Sequence, residues 1–436
     1  MVRCKKSTTP YVLVAAAIGN ALDWYDFIVY GYFATVIAGQ YFPPGAGWTG
    51  VLYAYAVFAI SFLIRPLGGV ALGYYADVIG RKKLMTLVIA LMTTGTAGVC
   101  FTPTYASIGI GAPLIIILAR CLQGLAAGGE FASTTAFMIE HAPQQSRGLY
   151  GGWQLSGQGA AITLAGASIT FLHYALTPSQ FEDWGWRLPF AVGLLVGPIG
   201  AYIRLKAEET PAFLEKSVRG DEQNPLQLAL GRYKRQTITG FGLVVGGTAT
   251  FYVLFIFMPT YALRVLHLTP EASFIAPAAA GLIVTLACPI SGALSDRLGR
   301  KRMMVVAAAV LTVLVIPSFQ WLISEPSFTK LTVVELAYGL LISVYGGPFS
   351  AAISELFPTV ARATAVSIAY NLGVAVFGGS APMILTVIIT TTSSSLAPAY
   401  YVGLCLLLST IAATALTSTA MEGSEDSKAS LLISDP

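Results

Sequence analysis

The chain has 436 residues, and Asp, Glu, Lys and Arg together make up only 11% of them. Soluble domains carry roughly a quarter charged residues. So little charge cannot clothe a water-facing surface, which excludes a soluble enzyme or a free binding module. Histidine is scarcer still: His141, His173 and His267 are the only three, each near the end of an apolar stretch. There is no His-Glu-x-x-His, no Gly-x-Ser-x-Gly and no P-loop, so the sequence points to no enzyme, no metal site and no cofactor. The five cysteines (Cys4, Cys100, Cys121, Cys288 and Cys405) form no Cys-x-x-Cys pair and read as packing residues. A net charge of +4 is small, and its basic residues are not interleaved with aromatics on one face, which argues against nucleic acid. The 44 glycines show no three-residue period, so a collagen-like chain is excluded.

What the chain does have is long apolar blocks, with hydrophobic residues at 55% of positions. A helix crossing a ~30 Å hydrocarbon core needs about 20 of them in a row. Twelve such stretches are expected, at 11–33, 50–75, 83–103, 111–139, 146–172, 187–205, 237–263, 271–295, 302–323, 330–353, 361–389 and 398–421. They are numbered spans 1 to 12. The expected fold is all-α: a six-helix bundle over 1–205, a polar central loop at 206–235, a second six-helix bundle over 236–421, and a short tail at 422–436. Of the 25 Lys and Arg, three fall on one set of flanks (Arg187, Arg264, Lys330) and two inside spans (Arg65, Arg120); the rest gather at the other flanks. Cytoplasmic flanks retain positive charge, so both termini are expected in the cytoplasm, with the first span uncleaved.

Two short patterns recur at about half the chain length. Gly73-x-x-x-Asp77-x-x-Gly80-Arg81-Lys82 after span 2 matches Gly292-x-x-x-Asp296-x-x-Gly299-Arg300-Lys301 after span 8. Glu140-x-x-Pro143-x-x-x-Arg147 after span 4 matches Glu355-x-x-Pro358-x-x-x-Arg362 after span 10. Their offsets, 219 and 215, agree closely enough to imply duplicated halves. Such halves are how many transporters build a site that opens alternately to either side. The Asp residues can accept bonds from Arg or from a helix N-terminus, with Glu140 and Glu355 as further Arg partners. Asp77, Arg81, Glu140, Arg147, Asp296, Arg300, Glu355 and Arg362 are therefore expected to gate one face, beyond anchoring it.

An ionised residue inside a span costs ~2.5–3.5 kcal/mol and needs a partner, water or a function. Asp23 and Asp26 lie three apart in span 1, Arg65 lies in span 2, and Arg120, Gln123, Ala127 and Glu130 form one stripe of span 4. Gln154 and Gln158 are a turn apart in span 5, and the second half is read as supplying aromatics and amides such as Phe251, Tyr252 and Asn371. A carboxylate shifts its proton affinity with the charge of a neighbouring site. Asp23 or Asp26, with Glu130, is expected to take a proton, the coupling ion. Arg120 and Arg65 are expected to pair with a substrate carboxylate, which a planar guanidinium matches two by two. Gln154, Gln158, Tyr30 and Tyr252 would orient the substrate through neutral bonds.

The paired loops, with Arg120-Cys-Leu-Gln123-Gly124, resemble the signature of the major facilitator superfamily. Gly19-Asn20-Ala-Leu-Asp23-Trp24-Tyr25-Asp26-Phe27, Arg65-Pro66-Leu67-Gly68-Gly69, Gly128-Gly129-Glu130 and Asp183-Trp184-Gly185-Trp186-Arg187 resemble its metabolite:proton symporter branch. Val78 departs from the basic residue usual after the first Asp of the loop, which weakens the first latch; Arg297 keeps it in the second. The resemblance implies proton symport of a small organic anion, across the inner membrane, by a monomer in the lipid bilayer. Phe251-Tyr252, Pro259-Thr260-Tyr261, Phe328-Thr329-Lys330 and Phe377-Gly378-Gly379 are more similar to citrate and tricarballylate carriers. A proline, betaine or shikimate symporter is the alternative, although no coiled coil follows span 12 as in the osmolyte carriers. A receptor that binds without translocating would share every motif, and passive uniport is a further possibility.

Overall fold

In lipid the backbone must satisfy its own polar groups, so apolar runs wind into helices. The computed structural model describes residues 9–45, 47–69, 71–72, 81–194 and 225–416. Every regular element among the described residues is helical. Eight helices there are long and apolar enough to cross a membrane: Gly47–Gly69, Gln144–Ala175, Lys234–Arg264, Pro270–Leu298, Arg300–Ser324, Phe328–Glu355, Ala361–Thr392 and Ala397–Thr414. They fall on spans 2, 5 and 7 to 12. Span 1 is the helix Thr9–Tyr32 and span 3 is Arg81–Phe101. Span 6 is described only as far as residue 194, so its inner end lies outside the described residues.

Two expectations are altered. Span 4 is not one helix but two, Gly111–Ala127 and Glu130–His141, separated at Gly128-Gly129. The pair of glycines weakens helix continuation, and it lets Gly128 come against the Arg65 carbonyl of span 2. The polar stretch at 206–235 is helical where described, from Pro225 to Arg232, and its Ala229 carbonyl accepts from the Thr237 hydroxyl at 2.8 Å.

Spans 5 and 8 pack antiparallel across the boundary between the halves with almost nothing between their backbones. A methyl group on Gly148 would meet Gly292, one on Gly152 would meet Cys288, one on Gly159 would meet Gly281, and one on Gly166 would meet Ala278. Small residues allow this approach, as in other membrane helix pairs. Spans 7 and 11 each contain a π-helical turn, Tyr252–Phe257 and Val374–Gly379. Such turns interrupt the regular ladder and are frequent at functional sites. Here they set Gly378 against the Tyr252 ring and Gly379 against the Phe62 ring.

Candidate transport site

Asp26 is buried at the middle of the first bundle. Its Oδ2 accepts a short hydrogen bond from the Thr96 hydroxyl of span 3. Thr96 in turn accepts from Gln123 Nε2 at 2.9 Å, and Arg120 Nη1 donates to Gln123 Oε1 at 2.7 Å. Asp26 and Arg120 thus communicate through two neutral groups rather than by touching. Bonds in such a chain polarise one another in a low dielectric. Asp26 Oδ1 and the Nε and Nη2 of Arg120 are buried with no hydrogen-bond partner among the described residues. Unmade charged hydrogen bonds of this kind are costly and mark where another species would bind. Asp23, one turn earlier, is half-buried and engaged. The Glu130 side chain lies outside the described residues.

The Phe27 ring lies between the two intramembrane cations, 4.6 Å from the Arg65 guanidinium carbon and 5.6 Å from that of Arg120. Arg65 also packs over Phe62 at 4.1 Å and Trp24 at 5.4 Å, and Arg120 over Tyr30 at 3.6 Å. These contacts supply cation–π attraction in place of water. Trp24 also lines a small cavity between the halves. Trp24 and Gln158 line it from the first bundle, and Thr248, Phe251, Tyr252, Tyr345, Phe349 and Tyr370 from the second. Gln158 Nε2 and the Tyr252 hydroxyl are buried without a partner among the described residues. Both therefore have donors to offer a ligand. Neither Arg65 nor Arg120 lines the cavity. Gln154 is committed elsewhere: it accepts from Thr135 at 2.7 Å and donates to the Phe131 carbonyl at 3.4 Å. Tyr30 donates to the Ala54 carbonyl at 3.3 Å.

At the basic end, Asp296 caps span 5. The backbone N–H groups of Gly148 and Leu149 donate to its two oxygens at 2.9 and 3.2 Å, and Arg300 donates to it at 3.1 Å. A carboxylate suits the positive end of a helix. Glu355 closes the same boundary, paired with Arg300 and 3.8 Å from Arg147 of the other half. Arg362 turns back to the carbonyls of Ser354 and Phe357 at 3.0 and 3.3 Å. The corresponding Asp77, and the side chains of Arg81 and Glu140, lie outside the described residues. Asp296→Asn keeps one acceptor but loses the charge. It is expected to raise the reaction rate of a single cysteine at buried Ser354 with a polar thiol reagent by roughly 10- to 100-fold, since bonds to a charged group contribute about 1.5–3 kcal/mol. An unchanged rate would leave the loop as an anchor alone.

Two residues escaped the sequence reading. Thr96 follows Thr93-Thr94-Gly95 in span 3 and shows no pattern of its own. Glu335 overturns the expectation that intramembrane charge is confined to the first half: it is fully buried in span 10. Its signal was available in the sequence, as an acid inside an apolar stretch.

Two helical bundles that meet over a cavity, one of them holding a buried polar relay, with ion pairs across one end of the boundary, define a multi-pass membrane transporter. The Major Facilitator Superfamily model matches residues 16–382, and the chain belongs to that superfamily. It is 34% identical to a citrate-proton symporter of Salmonella typhi, an alignment covering 91% of each chain. It is also 31% identical to a proline/betaine transporter of Escherichia coli (strain K12), over 94% of this chain and 83% of that one. Among solved structures, a D-xylose-proton symporter aligns with a TM-score of 0.74 over 94% of this chain and 98% of that one. At 15% identity that likeness concerns the fold.

Proposed function

We propose that the protein is a proton-coupled symporter that imports a small organic anion, a di- or tricarboxylate such as citrate, by alternating access. The observation that carries this reading is the Arg120–Gln123–Thr96–Asp26 relay, in which a buried guanidinium has two free donors and a buried carboxyl has a free oxygen. An anion taking the Arg120 donors changes the field at Asp26 through the relay, and so changes its hold on a proton. To reach Arg120 from the cavity, the anion must displace the layer formed by Trp24 and Phe27. Gln158 and Tyr252 then orient it. The named citrate-proton symporters among the relatives support this substrate class. The protein acts as a monomer in the inner membrane, with its basic end and both termini in the cytoplasm.

A second reading is favoured by the cavity wall. Trp24, Phe251, Tyr252, Tyr345, Phe349 and Tyr370 present rings to its interior, and ring faces attract a quaternary ammonium. A proline/betaine carrier among the relatives fits that wall. Uptake into proteoliposomes, with and without an inward proton gradient, separates the two. Gradient-driven accumulation of citrate or tricarballylate, with little betaine or proline, is expected. Accumulation of betaine and of no carboxylate would overturn the substrate, and tight binding without uptake of anything would make the protein a receptor.

A further inference from the structure

Glu335 lies in the second turn of Phe328–Glu355, at the end of the bundle opposite the latch. About 30 Å of helix, at 1.5 Å per residue, separates it from Glu355. Neither of its carboxyl oxygens has a hydrogen-bond partner among the described residues, and it is fully shielded from solvent. Tyr32, at the last turn of span 1, is within electrostatic reach of it from the other half of the molecule. The Tyr32 hydroxyl is likewise buried and unpartnered. Phe274 of span 8 packs on the Tyr32 ring at 5.7 Å and on the His173 ring of span 5 at 5.8 Å, so two further helices pack around Tyr32.

The other titratable groups at this end are turned elsewhere. His173 bonds the Ile169 carbonyl and packs against the Phe181 ring at a tilt, Arg264 packs over Trp48, and Lys330 pairs with Glu325. Glu271 occupies the first turn of span 8, and Tyr338 bonds Ser318. No cation among the described residues balances Glu335. An isolated carboxylate in such surroundings costs far more than a neutral acid, so in the closed state the group holds its proton. When the halves part at this end, water reaches the carboxyl and it ionises. It must recover a proton before Tyr32 and Phe274 can close over it again.

We propose that Glu335, facing Tyr32 across the boundary of the two halves, is a proton-binding gate that permits closure of the end opposite the latch only when protonated. It takes and returns its proton on the same side, so it sets the rate of cycling and not the number of protons carried. The proposal rests on the alternating-access reading but is independent of which group couples transport.

The test is substrate exchange in proteoliposomes without a proton gradient across the cycle being required, with the pH varied separately on each side. Citrate and betaine serve as the probe substrates, and the faster-exchanging one is used throughout. Wild-type exchange is expected to fall, by up to about tenfold per pH unit once the group ionises, as pH rises on the side opposite the latch. Glu335→Gln should flatten that dependence while exchange continues, and Glu335→Asp should restore it with a displaced midpoint. A wild-type pH profile in Glu335→Gln, or an undisplaced one in Glu335→Asp, would overturn the proposal. Since exchange needs no uphill transport, a failure of proton symport would appear separately, as loss of gradient-driven accumulation with the exchange profile intact.

Discussion

Asp26→Asn is expected to abolish uphill uptake while substrate exchange continues. Asparagine keeps an oxygen to accept from Thr96 and preserves the shape of the site, but it has no proton to take up and release by titration. For each coupled proton, a gradient of one pH unit supplies about 1.36 kcal/mol, or roughly tenfold accumulation. The variant should therefore equilibrate substrate to a ratio near one where the wild type concentrates it about tenfold per unit. The measurement is the limiting accumulation ratio in proteoliposomes over a series of imposed gradients, beside counterflow exchange at a single pH. A wild-type slope in Asp26→Asn would move the coupled proton to another group, with Asp23 and Glu130 the next to test. Loss of both activities would instead mean that the relay had collapsed.

The second large effect is expected at Arg120. Its Nη1 is already spent on Gln123, so the two free donors, Nε and Nη2, are the ones presented to an anion. Lysine retains the charge but replaces that fork with a single ammonium group, which cannot bond Gln123 and embrace a carboxylate together. Loss of the charge-assisted pair, at about 1.5–3 kcal/mol, corresponds to roughly 10- to 100-fold weaker binding. Calorimetric titration of the detergent-solubilised protein with the transported anion reads this directly. Unchanged affinity in Arg120→Lys would remove Arg120 from the site and leave Arg65 as the anion partner. Were betaine the substrate, its carboxylate would still need a cation, so the size of the loss does not by itself separate the two substrate classes; the uptake series does.

Much of this architecture was legible in the chain because lipid enforces simple rules. Apolar length fixed the spans, and the repeated Gly-x-x-x-Asp-x-x-Gly-Arg-Lys loops announced two halves. The role of Asp296 as acceptor for both a helix terminus and an arginine followed from the chemistry of a carboxylate beside such a loop. Charge inside spans drew attention to Asp26, Arg65 and Arg120. The linkage between Asp26 and Arg120 was not legible, because Thr96 is an ordinary helix residue until span 3 is laid beside span 1. Gln154 was chosen by helix face along with Gln158, yet the two diverge: one bonds Thr135, the other faces the cavity. Helical spacing gives a face, and only packing decides what that face meets. The split of span 4 was missed for a related reason, since Gly128-Gly129 inside an apolar run looks like close packing as readily as a break.

The glycine seam between spans 5 and 8 has a mechanical consequence. Interlocked side chains would have to change rotamers for one half to move against the other, whereas two bare backbones can roll on each other. The seam runs from Gly148, beside the latch, to Gly166, toward the end where Glu335 sits. A rolling line of contact placed there is a fulcrum, with Asp296 and Glu355 at one arm and Tyr32 and Glu335 at the other. Displacement at one arm returns with opposite sign at the other, so the same stiffness that opens one mouth shuts its counterpart. A leak through both at once would require the fulcrum itself to come apart.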